Sequence, residues 1–148
     1  MKKLRKGKAV AAVYGPEAAP RPGRPLYLAK IPAGFPSPAD DFIDRKLDLN
    51  EHLVKHPAAT FFVKVQGSSM TGAGIHSGDI LVVDRSLEPA DRKIVVAAVG
   101  GELTVKRLRK AKGKVFLASE NPDYRAIEVT PEMNIEVWGV VVHVIHPV

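Results

Sequence analysis

The chain contains no cysteine, which removes disulfides, thiolate metal sites and cysteine nucleophiles together and suits a reducing compartment. Serine, threonine, lysine, histidine and the carboxylates are left for any chemistry. Long apolar runs are also missing. No segment approaches the roughly 18 apolar residues of a membrane span. The basic start "KKLRKGK" is followed by "AVAAVY", whose apolar stretch from Ala9 to Tyr14 is shorter than a secretory signal needs. These absences predict a soluble cytoplasmic protein without a membrane partner. Acidic residues are scarce at one end. Residues 1–30 carry eight lysines and arginines against Glu17 alone, whereas the remaining residues hold 14 basic and 15 acidic groups. The net charge of +6 therefore resides in an N-terminal tail. That tail is either a solvated arm or a device for steering toward a polyanion, so direct nucleic-acid binding is left open.

What is present falls into three stretches. Prolines 16, 20, 22, 25 and 32, with Gly15 and Gly23, deny the first 35 residues a long helix, because each internal proline removes a backbone donor and clashes with the preceding turn. An extended or disordered arm is predicted. In "FPSPADDFIDRKLDLN", Ser37 as N-cap, Pro38 and the early Asp40 and Asp41 predict a helical turn. Asp48 with Glu51 predicts a second short helix, with Leu49, Leu53 and Val54 on one face and Pro57 closing it. From Thr60 onward short β-rich runs alternate with turns: "TFFVKVQ", "DILVVD", "KIVVAAV", "ELTVKRL", "KVFLA", "AIEVT" and "NIEVWGVVVHVI". Gly100 and Gly101 predict a tight hairpin turn, and Gly139 a bulge or bend in the last strand.

The candidate chemistry lies in "VKVQGSSMTGAGIHSGDILVVD". Ser69 ends a strand and enters a loop in which Gly72, Gly74 and Gly78 allow close backbone approach and amides turned toward one point, as an oxyanion site requires. A serine hydroxyl needs a base. His76 is the nearest of five histidines (His52, His56, His76, His143, His146), and Lys106 is a second candidate. Burial would favour the neutral amine of Lys106, but strand alternation alone, with Thr104 and Leu108 on its face and Leu103, Val105 and Arg107 on the other, favours a solvated edge lysine. His143 and His146 stand three apart, which points them to opposite faces of a strand and argues against a metal pair.

In order along the chain, "GSSM", "GIHSGDILVVD", "AAVGGELTVKRL" and "WGVVVHVI" resemble the catalytic domain of the LexA/UmuD family of self-cleaving serine peptidases. The stretch "GFPSPADDFIDRKLDLNEHLVKHPAATFFVKVQGSSM" resembles the UmuD branch of that family. The resemblance spans about Gly34 to Val144 and leaves out the basic start. It implies a mostly β, LexA/signal-peptidase-like fold of several coiled antiparallel sheets, with one or two short helices and an extended N-terminal arm. It implies Ser69 as nucleophile, Lys106 as general base, Ser68 as a neighbouring decoy, backbone amides of Ser68 and Ser69 as oxyanion donors, and His76 as an ordinary loop residue. No cofactor and no metal are implied.

The family cuts its own chain upstream, and the matching bond is Ala33–Gly34 in "KIPAGFPSP". Pro32 and Pro36 favour an extended scissile segment by restricting Ile31 and Phe35. Pro32 itself departs from the family pattern. The expected organisation is an arm at 1–33 removed by self-cleavage, a linker with short helices at 34–59, and a peptidase domain at 60–148. The resemblance further implies a homodimer, stimulation by a RecA filament on single-stranded DNA in the SOS response to DNA damage, and a product that joins a UmuC-type polymerase in error-prone translesion synthesis. A repressor would need an N-terminal helix-turn-helix that a proline-broken arm cannot supply, and a signal peptidase would need an anchor. A non-enzymatic β-rich interaction module is the alternative of a different class.

Overall fold

The computed structural model describes the backbone of residues 10–14, 24–27 and 43–148, and side chains at Val10 and from Lys46 onward. The expected helical start at Ser37, the Ala33–Gly34 bond and the basic run before Ala9 lie outside the described residues. Within the predicted arm, β1 (Val10–Tyr14) and β2 (Arg24–Tyr27) are strands. The expected helical turn does not extend past Phe42, because Ile43–Leu47 is a strand, β3, paired antiparallel with β2. α1 (Leu49–Leu53) follows, capped by the Asp48 carboxylate, which accepts from the Asn50 amide at 3.0 Å. Its Leu49 is 59% exposed, so the apolar face read from the sequence is not a buried stripe at that position.

Contacts divide the chain into two compact units, residues 18–55 and residues 1–17 with 56–148. The first holds β2, β3 and α1. The second holds an eight-stranded antiparallel sheet built from β1, β4 (Thr60–Val65), β5 (Ile80–Asp84), β6 (Ile94–Val99), β7 (Glu102–Ala111), β8 (Lys114–Ala118), β9 (Ile127–Glu128) and β10 (Ile135–Ile145). The spatial order is β1-β4-β5-β10-β6-β7-β8-β9. All seven β runs read from the sequence after Thr60 are strands, and the mostly β class holds. Among the described residues no helix is long and apolar enough to cross a membrane.

Two side-chain clusters cover the sheet. Phe61, Val63 and Val65 of β4 pack with Leu81, Val83, Val96, Leu103, Val105, Met70, Ile75 and Val10. Val95, Ala97, Leu108, Leu117 and Val140 form the second cluster. The alternation of Leu103 and Val105 in one cluster with Leu108 in the other follows from the period-2 geometry of a strand. Val10 is completely buried, so a residue of the predicted arm is part of the core, and β1 pairs with β4 from Val10↔Val65 to Tyr14↔Phe62.

The turn chemistry read from the sequence is realised. Gly100 and Gly101 have φ of 58° and 84° between paired Val99 and Glu102, the two positive values that a two-residue hairpin loop demands. At Gly139 the β10–β6 register shifts, as expected of a bulge. A Cβ there would stand 2.8 Å from Val83 Cγ1 and 3.0 Å from the Asp84 carbonyl oxygen. Gly139→Val should therefore lower stability by about 1–3 kcal/mol or more through overpacking, read as a lower denaturant midpoint at unchanged m-value.

Candidate active site

Ser69 lies in the loop that leaves β4. Met70, 2% exposed, sinks into the core beside it, and the one-turn 3₁₀ helix Thr71–Ala73 follows. An apolar anchor one residue past the serine fixes the backbone direction there, which is why a half-buried polar residue can be held on a loop. The carbonyl oxygen of Ser68 accepts from the Thr71 hydroxyl at 3.2 Å and from Asn121 Nδ2 at 2.8 Å. The Ser68 hydroxyl shares a 3.3 Å hydrogen bond with the Tyr124 hydroxyl. Ser68, the predicted decoy, is thus exposed and tied to the segment that follows β8.

That segment is stapled to the serine loop at a second point. The Gly72 amide donates to the Glu120 carbonyl at 2.7 Å, and a Cβ on residue 72 would lie 2.5 Å from that same oxygen. Only glycine permits the approach. The other loop glycines serve closure: the Gly74 amide donates to Thr71 and the Gly78 amide to Val65. The expectation that these glycine amides converge on an oxyanion is therefore corrected, since their hydrogens are consumed in folding the loop. The amides of Ser68 and Ser69 make no backbone hydrogen bond among the described residues.

Lys106 stands in the interior of the sheet, on β7 between β6 and β8. It is opposite Val95 and only 8% exposed, so the solvated edge lysine that strand alternation allowed is excluded. Strand order decides this, because β8 covers the edge that a lysine on a terminal strand would show to water. Burial pushes its amine below the ordinary lysine range. Its Nζ donates to Ser119 Oγ at 2.9 Å and lies 5.7 Å from the centre of the Tyr124 ring. The register Arg107↔Ala118 continues one residue outward to put Ser119 across from Lys106. On the opposite face of β7, Arg107 pairs with the Glu120 carboxylate.

Three consecutive residues therefore join the two candidates. Ser119 holds Lys106, Glu120 accepts from Gly72, and Asn121 donates to Ser68. Lys106 and the Ser68–Gly72 turn are consequently built around one short segment, with Tyr124 touching both. Ser119, Asn121 and Tyr124 were not singled out from the sequence. Counting outward from the turn at Lys112 and Gly113, both at positive φ, would have found Ser119 opposite Lys106.

His76, the other candidate base, is committed elsewhere. Its amide donates to Asp79 Oδ2 at 2.8 Å, and its ring stands near His146. Burial works to raise the Asp79 carboxyl, but the His76 amide, the His146 ring and the charges of both histidines outweigh it and hold Asp79 below the usual carboxylate range. His56 and Asp84 form a similar pair at 2.5 Å.

On this β scaffold a buried lysine and a serine-bearing turn are fastened to one short segment, and the comparisons with known proteins give the class. The family described as Peptidase S24-like matches residues 25–142. Protein ImpA of Salmonella typhimurium is 47% identical over 124 residues, 83% of each chain. Protein MucA of Escherichia coli is 46% identical over 127 residues, covering 84% of this chain and 86% of its own. The LexA repressor of Paracidovorax citrulli is 38% identical over 118 residues, 80% of this chain but 52% of the repressor. The chain belongs to the Peptidase S24 family, in the UmuD-like part of the LexA/UmuD group of SOS-related self-cleaving peptidases.

Proposed function

We propose that the protein is a serine endopeptidase that cuts its own chain between Ala33 and Gly34 with Ser69 as nucleophile and Lys106 as general base. The observation that carries this reading is the burial of Lys106 with its Nζ fixed by Ser119, on the segment that also fastens the Ser69 turn. Neutral Lys106 removes the proton from Ser69 Oγ as that oxygen attacks the Ala33 carbonyl carbon. The backbone amides of Ser68 and Ser69 receive the developing oxyanion. Lys106, now an ammonium, protonates the Gly34 nitrogen as the C–N bond breaks, and water hydrolyses the Ala33 ester.

The cut removes 33 residues and changes the net charge from +6 to −1, because the arm carries +7. It also severs β1 from the chain that follows, leaving Val10 and the β1–β4 pairing as non-covalent contacts. A RecA filament on single-stranded DNA stimulates cleavage by raising the fraction of molecules with the bond engaged. The shortened product acts as a homodimer with a UmuC-type polymerase in translesion synthesis.

The test is an intact mass of the full chain after incubation at mildly alkaline pH, with and without a RecA filament. Fragments that meet between Ala33 and Gly34, present in Ser68→Ala, support the reading. An uncut chain under both conditions, or a cut elsewhere, overturns it and leaves a β-rich interaction module.

Ser119 gives a second prediction. Its oxygen accepts from Lys106 Nζ and so both aims the amine and favours its charged form. Ser119→Ala should slow self-cleavage about tenfold, the worth of one hydrogen bond to a charged group, and move the alkaline rise of the rate to lower pH. Ser119→Thr, which keeps the hydroxyl, should restore both. A rate loss with an unmoved pH profile would reduce Ser119 to a packing residue.

A further inference from the structure

We propose that His76, Asp79 and His146 form a binding site for a zinc ion, separate from the serine and lysine of the candidate active site. β5 begins at Ile80 and β10 ends at Ile145, and these two residues are register partners. The residues just beyond them, Asp79 and His146, are thereby brought opposite each other. His146 Nδ1–H donates to Asp79 Oδ1 at 2.6 Å. His76 arrives from the same turn as Asp79, whose amide donates to the His76 carbonyl at 3.1 Å while its Oδ2 accepts from the His76 amide. The two imidazoles come to 5.1 Å between centres.

One ligand atom from each of the three residues lies within 4.8 Å of the others, the one such group of three among the described residues. Hydrogen bonding to Asp79 accounts for only one of the two rings. His146 already satisfies Asp79 Oδ1, and His76 Nδ1 is 3.9 Å from Oδ2, beyond a hydrogen bond. A second imidazole is therefore held beside the carboxylate without bonding it. Two nitrogens and one carboxylate oxygen are a donor set that zinc takes, with water completing a tetrahedron.

The mechanics suit capture of an ion. Zinc bonds of about 2.0–2.1 Å require ligand atoms about 3.3 Å apart in a tetrahedron, so the cluster must contract. The two imidazole side chains are half exposed, at 50% and 48%, and can rotate, whereas Asp79 is 1% exposed and fixed by the His76 amide. A rigid buried carboxylate with two adjustable imidazoles closes from the solvent side. Bound zinc ties the loop after Ser69 to the end of β10, linking segments that approach only through tertiary structure.

The test uses the tag-free full chain titrated with zinc chloride in buffer without chelator, followed by isothermal calorimetry and thermal melting. One equivalent should bind saturably and raise the melting temperature, as any ligand selective for the folded state does. His76→Ala and His146→Ala should each weaken binding about tenfold or more, while His143→Ala should not. Cobalt(II) offered instead should give visible absorption that is lost in both variants. Absence of saturable binding overturns the proposal. So does an unchanged isotherm in the doubly substituted chain, which would put the metal elsewhere.

Discussion

Ser69→Ala and Lys106→Met should each reduce self-cleavage by at least about 10³-fold, to the uncatalysed background, because in the proposed mechanism the two act as a unit of nucleophile and base. Ser68→Ala should cleave at nearly the parent rate, since its hydroxyl faces Tyr124. The parent rate should rise with pH, because the base is active only when neutral. Burial lowers the Lys106 pKa in the folded chain and so moves that rise down toward neutrality. The sign of the stability effect is opposite to that of a paired lysine. In the window between the folded and the unfolded pKa, the unfolded chain binds one proton more, so folding is penalised there and below, and the penalty fades as pH climbs. Lys106→Met removes that penalty. It should melt about 2–4 °C higher at neutral pH per kcal/mol recovered, with the difference shrinking at alkaline pH. A variant that loses cleavage and gains stability would identify the lysine as kept buried for chemistry. One that loses both would mean that its hydrogen bond to Ser119 outweighs its desolvation.

The second large effect concerns a glycine that touches no reacting atom. Gly72→Ala puts a Cβ 2.5 Å from the Glu120 carbonyl oxygen, a backbone atom, and breaks the hydrogen bond that the Gly72 amide donates to it. The loop and the segment from Ser119 to Asn121 must then separate. Since Ser119 holds Lys106 and Asn121 holds Ser68, the proposed base and the serine turn are then displaced from each other. Self-cleavage should fall about 10²-fold, as misplacements near 1 Å commonly cost, with a stability loss of about 1–3 kcal/mol. Gly74→Ala is the matched control. Its φ of 77° imposes backbone strain, but no atom lies within 4 Å of the added methyl group. It should destabilise by about 1 kcal/mol and leave the cleavage rate within a few-fold of the parent. If the two variants cleave equally, the Gly72 contact does not hold the site together.

The strands from Thr60 onward were readable because β-branched residues recur with short turns between them, and those signals act within a few residues. The Gly100–Gly101 hairpin and the Gly139 bulge were readable for the same reason, as local backbone demands. The ordered run of "GSSM", "GIHSGDILVVD" and "ELTVKRL" pointed to the family and to Ser69 and Lys106, because residue identity along the chain is all that such a resemblance needs.

What those residues meet is a different matter. Lys106 is buried because β8 folds back along β7 and closes the edge, and a strand's own alternation cannot say whether it lies at the margin of a sheet. Ser119, Asn121 and Tyr124 reach the serine loop only after β8 has paired and turned away. His146 meets Asp79 across 67 residues because β10 lies against β5, whereas spacing along the chain set His146 only beside His143 and argued against that pair. Val10, in a stretch read as a free arm, fills the core through its pairing with β4. The sequence by itself determined the strands from Thr60 onward, the turns between them and the reactive residue types, through forces that reach a few residues along the chain. Tertiary structure alone decided which amine is dry and which side chains converge, because burial and register come from strand order among residues far apart in sequence.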